Sequence, residues 1–370
     1  MSRRTLGGAC AGVLLVAVGV GSLPLRDHPG EPRDTRASSP TAAIAASARD
    51  DALGSARTRL GGEDLHALTV PPPDATGLLT RESVNCDFVP RIPGGTSSKF
   101  ECALADGEIV RVKYGHEPEI HAEVAATRLL ASLGYATDYV YIVPRLRCHG
   151  CPANPFVVMK VLDLIGHEPH STDDFTDFEW VAVERRFEAA AIEDDERKGW
   201  AWWELKDVNA PTEDLDALRL LAVFLAHWDN KADNQRLVCM DAGGHDPDRR
   251  CADPLLMIQD LGATFGPAKV NLSEWRTMPI WIDRGTCTVS MKAMPYQGST
   301  FVDARLAEAA RLRVGSELAA FTDSDLRGWF AAARFPQFYA DTDDDKDLAA
   351  WVAAYRLRVD QILSGGPCPQ

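Results

Sequence analysis

The sequence predicts an α+β fold in two lobes, a small strand-rich lobe followed by a larger, mainly helical one. Three observations carry this expectation. Short extended stretches joined by Gly-Gly and Asp-Gly turns crowd into residues 85–114. The clearest amphipathic helix of the chain, EIHAEVAATRLLASLGY, follows at once. Beyond it the apolar spacing is largely helical, and no internal repeat or second low-complexity break divides the chain before Leu363.

Composition sets the outer limits. The 370 residues are 45% hydrophobic and 25% charged, which argues against disordered, collagen-like and multipass membrane classes. Lys plus Arg is 39 against 54 Asp plus Glu, a net charge of −15 that disfavours a dedicated nucleic-acid binder with its basic face. Arg3 and Arg4 precede a run without charge from Thr5 to Leu25, so residues 1–26 are expected to be a signal peptide or an N-terminal anchor. That makes the expected location extracytoplasmic, secreted or tethered through this segment, with no other membrane contact. Cys10 precedes the apolar run and does not fit a lipidation site. The eight remaining cysteines, Cys86, Cys102, Cys148, Cys151, Cys239, Cys251, Cys287 and Cys368, form an even set with room for four disulfides. Cys148 and Cys151 also read as half of a zinc site completed by Cys239, Cys251 or His149, but a second CxxC is missing.

Residues 27–77, centred on SSPTAAIAASARDD, are expected to be a low-complexity linker, with folding from near Leu78 and one domain over 78–365. Its first lobe is expected over about 78–163 and its second over about 164–365. In the strand ending at Lys113, Val110, Val112 and Tyr114 alternate with Arg111 and Lys113, which sends Lys113 to the opposite face from the apolar residues. The helix that follows stops at Gly134 and carries Glu123 at the edge of its buried face. PFVVMKVLD reads as a buried strand, and residues 174–195 as a helical stretch. Trp200, Trp202 and Trp203 read as a core or lobe-interface cluster more readily than as a sugar platform. Pro211 opens a helix with acids in its first turn, which delivers the chain to HWDNKADN. Two apolar strands, 236–240 and 255–258, come next, and helices are expected over 302–313, 323–333 and 347–362.

The chemistry lies in HWDNKADN and the DLG that ends the second of those strands. Asp229 stands five residues before Asn234 with Lys231 between them, and Asp260 opens the DLG. Phosphoryl transfer needs such a set: a carboxylate to take the proton of the attacking hydroxyl, a cation to offset phosphoryl charge, and an amide and a second carboxylate to hold a divalent metal. The strand pair between the motifs returns the chain to its starting edge and so brings Asp229 and Asp260 to one end of a cleft.

With those residues in view the chain resembles the protein-kinase-like superfamily over about residues 90–266. HWDNKADN is similar to a catalytic loop, DLG to the DFG motif, VRVK to the V-A-I-K strand and GGTSSKF to a glycine-rich turn. The form E-x-A-A-x-x-L-L-x-x-L-G resembles the atypical branch that includes HipA-type kinases, phosphatidylinositol kinases and secretory Golgi casein kinases. The resemblance implies ATP with Mg²⁺ or Mn²⁺, Lys113 on the phosphates, and Glu123 paired with it from an αC-like helix. It further implies Gly94, Gly95 and Thr96 at the phosphates, Asp229 and Lys231 in catalysis, and Asn234 and Asp260 on the metal. The partners implied are the nucleotide and a hydroxyl acceptor, whether protein, glycan, lipid or metabolite. The chain departs from the pattern in three places. The full G-x-G-x-x-G is missing, so Lys99 is a candidate substitute. Lys113 and Glu123 are only ten residues apart, so Glu119 is the fallback partner. The twenty-six residues from Asn234 to Asp260 form a long excursion, which a Cys239–Cys251 bond would pin. The incomplete glycine turn also supports a rival reading, a pseudokinase acting as a binding or scaffold module. A metal-dependent hydrolase built on His227, Asp229, Asp233 and Asp260 leaves Lys113 and Lys231 unexplained.

Overall fold

The structure is a computed structural model that describes residues 46–60, 83–241, 251–292, 301–335 and 348–369. The chain divides into two compact units, Met1–Pro40 and Thr41–Gln370, and the described residues all lie in the second. The expected signal or anchor segment and residues 242–250 of the excursion loop are outside them. Among the described residues no helix is long and apolar enough to cross a membrane.

The strand-rich part is a closed five-stranded barrel. β1 (Val84–Val89), β2 (Lys99–Ala103) and β3 (Ile109–Lys113) form the expected antiparallel meander, turning at Asp106-Gly107, where Gly107 takes φ +87°. The remaining members are β4 (Tyr139–His149) and β5 (Phe175–Arg185). β5 pairs antiparallel with both β3 and β4, and β4 runs parallel to β1, which closes the sheet. Inside, Val84, Phe100, Val112, Leu146, Val181 and Val183 make one apolar core. Two elements here differ from expectation. The stretch 174–195 contains the strand β5, not a helix. Its alternation is hidden because Trp180 takes φ +54° opposite Pro144, which has no N–H for the ladder. PFVVMKVLD is a helix, α3 (Pro155–Leu164), not a buried strand. Asn154 caps it by accepting from the Val157 N–H, and Pro155 suits its first turn. Because β5 completes the barrel, the strand-rich part runs to Arg185 and not to the expected 163/164 boundary.

The helix between β3 and β4, α2 (Pro118–Ser132), sits where the sequence placed it, and Gly134 ends it with φ +82°. Its buried residues Ile120, Val124, Leu129 and Leu130 belong to the second, larger core, shared with the helical part. There α4 (Thr212–Leu225) is packed on nearly all sides. The fully buried Arg358 of α8 (Leu348–Leu363) donates to the carbonyls of Val223 and Phe224 in its last turn. The expected strand pair is present as β7 (Gln235–Cys239) and β8 (Pro254–Ile258), with the short β6 (Ala190–Ala191) beside β7. Residues 302–313 are not one helix: Ala304–Arg305 pairs as a strand with Thr288–Val289, and α6 spans Glu308–Ala320. The helix α7 (Asp323–Ala332) and α8 match their expected positions.

Four disulfides join all eight cysteines of the expected set: Cys86–Cys102, Cys148–Cys151, Cys239–Cys251 and Cys287–Cys368. The CHGC motif is therefore a disulfide and not a zinc half-site, and the excursion between the two motifs is pinned.

The expected linker contains a folded element. The helix α1 (Ala46–Ser55) buries Ala52 and Leu53 in the large core, and Arg57 bridges to β8 through Leu255. Arg49 is fully buried and donates to both oxygens of Glu204, at 2.8 and 3.1 Å, and to the Gly199 carbonyl at 2.6 Å. Low complexity concealed this contact because the charge that anchors the helix has its partner far along the chain. Glu204→Gln removes the compensating charge from a buried guanidinium and is expected to cost about 3 kcal/mol. A lower urea midpoint at unchanged slope is the measurement that checks it.

Candidate active site

The site begins with a register. β2 and β3 place Lys99 directly opposite Lys113, and β3 and β5 place Arg111 opposite Glu184. At the end of β3 the Lys113 ammonium turns toward α2 and lies 2.7 and 2.5 Å from the two oxygens of Glu123. Glu184 approaches the same ammonium at 3.1 Å and also accepts from Arg111 at 2.7 Å. Burial alone would push Lys113 down, but Glu123, Glu184 and Asp260 outweigh it and hold the ammonium above the ordinary lysine value. Burial likewise opposes the charge on Glu184, which Lys113 and Arg111 pull below the ordinary value. Glu123 carries the excess: burial, reinforced by Glu184 and Asp260, pushes it up to about 7 despite Lys113. One ammonium thus contacts two carboxylates, with Asp260 adding to the field around it, and Glu184 has a second cation.

Glu123, not Glu119, is the partner of Lys113. Glu119 instead accepts from the Ser97 hydroxyl at 3.2 Å, and burial raises its pKa. Gly94, Gly95 and Thr96 lie exposed on the loop between β1 and β2, outside the residues that line the cleft. Gly95 has φ +69°, and a Cβ there would come 3.1 Å from the Lys99 ammonium. Lys99 does line the cleft. Burial, with Lys113 and Arg111 nearby, lowers its pKa.

The second half of the site hangs from the end of α4. Ala226 takes φ +56° there, and the backbone N–H of His227 reaches back to the Ala222 carbonyl, turning the chain out of the helix. His227 is buried, and burial pushes its pKa down to about 4. Its neutral ring places Nε2 3.2 Å from the carbonyl oxygen of Asp260, so Nε2–H donates there and ties HWDNKADN to DLG. Asp260 itself sits at φ +51°, an uncommon conformation for a non-glycine residue. Gly262 follows because its neighbour is too close for a side chain: a Cβ would lie 3.1 Å from that of Glu119. Asn234 donates from Nδ2 to the Asp229 carbonyl at 2.7 Å, which leaves Oδ1 as an acceptor. Lys231 pairs with Asp229 at 2.8 Å. Trp202 braces the loop from behind, donating to the Asn230 carbonyl at 3.0 Å, while Trp200 donates to Met257. These two indoles are buried core residues, as expected. Trp203 is not, being 64% exposed.

Lys113, Glu123, Asn234 and Asp260 line one cleft of about 490 Å³, together with Lys99, Arg111, Glu184, Arg186, Lys198 and Arg236. Asp229 is not in its lining and is tied to it by the bond from Asn234 to its backbone carbonyl. Lys231 lines a neighbouring cavity, and Asp233 lines both. The sequence reading missed Glu184 because β5 was read as helix. It also missed Asp138, a buried carboxylate that accepts from the Phe187 N–H and from Gln259, the residue before Asp260.

No protein-family model and no curated protein matches the chain. Among solved structures it is similar to the proinflammatory kinase CtkA of Helicobacter pylori, at 9% identity over 75% of this chain and 94% of that one, with a TM-score of 0.41. It is also similar to Golgi casein kinase in a structure with Mn and ADP bound, at 11% identity over 81% of this chain and 74% of that one, with a TM-score of 0.34. At these values the likeness assigns no role to any residue, and the chemistry of the cleft is taken from its own side chains.

One pH dependence follows from the helix that supplies Glu123. His121 of α2 is buried, its Nδ1 2.6 Å from the Ala333 carbonyl, and burial pushes its pKa from the ordinary 6.5 down to about 4. The unfolded chain therefore binds a proton that the folded chain refuses between those values. Stability is full above about pH 6.5 and falls as pH drops toward 4. His121→Asn keeps a donor for Ala333 and removes the titration, so its urea midpoint is expected to fall less steeply than that of the wild type across this window.

Proposed function

We propose that this chain is an exported, ATP-dependent phosphotransferase of the kinase-like superfamily that moves the γ-phosphoryl group to a hydroxyl acceptor. The observation that carries the reading is the convergence of Lys113, Glu123, Asn234 and Asp260 on one polar cleft, with Asp229 held behind Asn234. In this reading the barrel and the helical part are the two lobes, and α2 is the αC-like helix. The donor set fits the group it would hold. Asn234 Oδ1 and the Asp260 carboxylate are hard oxygen donors suited to Mg²⁺ or Mn²⁺. Lys99, Lys113 and Arg111 face the same space as a polyphosphate would need. When bound, the metal supplies charge neutralisation for the phosphates. Lys113, fixed by Glu123, orients them. Lys99 takes the role that a full glycine loop would otherwise fill, since two lysines opposed across a strand pair repel one another until an anion lies between them.

Asp229 is the acceptor of the hydroxyl proton. Lys231 holds its Oδ1, which leaves Oδ2 toward the incoming acceptor and keeps a cation beside the transferring group. The export part of the proposal rests on the N-terminal Arg pair and uncharged run, and the four disulfides agree with an oxidising compartment.

Calorimetry with ATP and Mn²⁺, paired with release of labelled phosphoryl product, tests the reading. Wild type is expected to bind metal–nucleotide and to turn it over. Asp260→Ala should abolish metal-dependent binding, and Lys99→Ala should weaken it about tenfold, the loss of one charge-assisted hydrogen bond of about 1.4 kcal/mol. Asp229→Ala should bind nucleotide and lose transfer by at least two orders of magnitude. Undiminished transfer by folded Asp229→Ala protein would sink the mechanism, and nucleotide binding without turnover in the wild type would favour the scaffold reading.

A further inference from the structure

The second cavity beside the catalytic loop has a volume of about 760 Å³, the size of a small-molecule site, and no role in nucleotide binding as proposed above. Three residues of HWDNKADN line it, Lys231, Ala232 and Asp233. Lys231, paired with Asp229, lies in its wall, and Asp233 lies in the walls of both this cavity and the nucleotide cleft. A molecule seated here therefore lies beside Lys231, whose ammonium holds the proposed base Asp229, and beside Asp233, which borders the nucleotide cleft.

The lining indicates what kind of molecule that is. Trp202 and Phe301 form an apolar floor, their rings 5.0 Å apart. Trp203 also lines the cavity with 64% of its surface exposed, its ring flanked by the Lys206 ammonium 5.9 Å from the centroid, so an indole surface is open to a stacking ligand. Around this aromatic platform are donors and acceptors in mixture: Arg219 and Arg305 on one hand, Asp233 and Asp303 on the other. The arginines are each partly engaged, Arg219 with Asp216 at 2.8 Å and Arg305 with the Pro369 carbonyl at 3.1 Å, which fixes their planes and leaves further N–H groups. A purely anionic ligand would meet Asp233 and Asp303. A purely apolar one would cover charged side chains without offering their remaining N–H groups and oxygens a hydrogen bond. A ring with one C–H face and a rim of hydroxyls satisfies both, stacking on indole and exchanging hydrogen bonds with carboxylates and guanidinium groups.

We infer that this cavity is the acceptor site and that the acceptor is a saccharide, phosphorylated on a ring or exocyclic hydroxyl, with Trp203 as its stacking platform. The inference rests on the phosphotransferase reading and names its substrate class. In the step itself the saccharide oxygen attacks the γ-phosphorus. A new O–P bond forms, the bond from the γ-phosphorus to the β,γ-bridging oxygen breaks, the hydroxyl proton passes to Asp229, and ADP leaves.

The test uses the full folded chain with ATP and Mn²⁺. The acceptors are methyl glycosides of glucose, galactose, mannose, xylose and N-acetylglucosamine, with lactose and cellobiose, against a serine- and threonine-containing peptide mixture. The expected result is a phosphorylated glycoside detected by mass spectrometry. Saturation-transfer NMR should show contact to the same glycoside without nucleotide. Trp203→Ala is expected to raise KM for that glycoside tenfold or more, with a smaller change in kcat, and to erase the NMR contact. Labelling of peptide but of no glycoside overturns the saccharide assignment and leaves the phosphotransferase standing. Binding of ATP with no labelled glycoside and no NMR contact overturns it too. Absence of metal-dependent ATP binding in the wild type overturns the phosphotransferase reading first.

Discussion

A buried ammonium shared between two carboxylates is the constraint around which the molecule is arranged. Lys113 ends β3, Glu123 lies on α2 and Glu184 on β5, so the barrel and the helix beside it are fixed to one another by charge. Each of these ions loses several kcal/mol of hydration on burial, and the cluster persists only when its members are placed to tenths of an ångström. β5 runs between β3 and β4, and Arg111, two residues before Lys113, turns to the same glutamate. The pocket is thereby charged and ordered before any ligand enters, as electrostatic catalysis demands.

The other half of the site is held by close backbone contact. A Cβ on Gly199 would fall 2.0 Å from the Gln235 carbonyl oxygen and 2.2 Å from that of Ala232, so nothing but glycine fits behind the catalytic loop. The Gly199 carbonyl accepts from Arg49, and Trp202 three residues later donates to Asn230. The loop is therefore clamped from behind by α1 and the tryptophan segment, while its front faces solvent with Asp229, Lys231 and Asp233. His227 adds the cross-link to Asp260. Rigidity at the back and polar exposure at the front are what a site for an incoming acceptor requires.

Much of this was legible in the chain, and the exceptions have physical causes. The strand ending in Lys113, the helix bearing Glu123, the α4 helix and the β7–β8 pair were read from periodicity because each has a clean apolar face. Asn234 and Asp260 were read from the residue types and spacing of their motifs, and the pairing of Lys113 with Glu123 was implied by the kinase-like resemblance. What local pattern could not give was the partner far along the sequence. Glu184 was hidden in a strand whose alternation is broken at Trp180, and α3 was misread because its Val-rich run outweighed the Asn154-Pro155 start signal. Gly94, Gly95 and Thr96 were expected at the phosphates from the resemblance of GGTSSKF to a glycine-rich turn. The register instead turns Lys99 inward and leaves the loop outside. Trp203 was grouped with two core indoles that it does not join.

The bond between Arg49 and Glu204 spans 155 residues, and that separation bears on how the chain acquires its shape. During synthesis α1 emerges long before its counter-charge, at a stage when neither the barrel nor the tryptophan segment exists. Its guanidinium must stay hydrated until the chain has passed Glu204, and docking of α1 is a late step that closes over the rear of the catalytic loop. Contacts of such long range slow folding. They also tie the backing of the HWDNKADN loop to a partner that the chain reaches only at Glu204, so a shorter chain leaves α1 undocked.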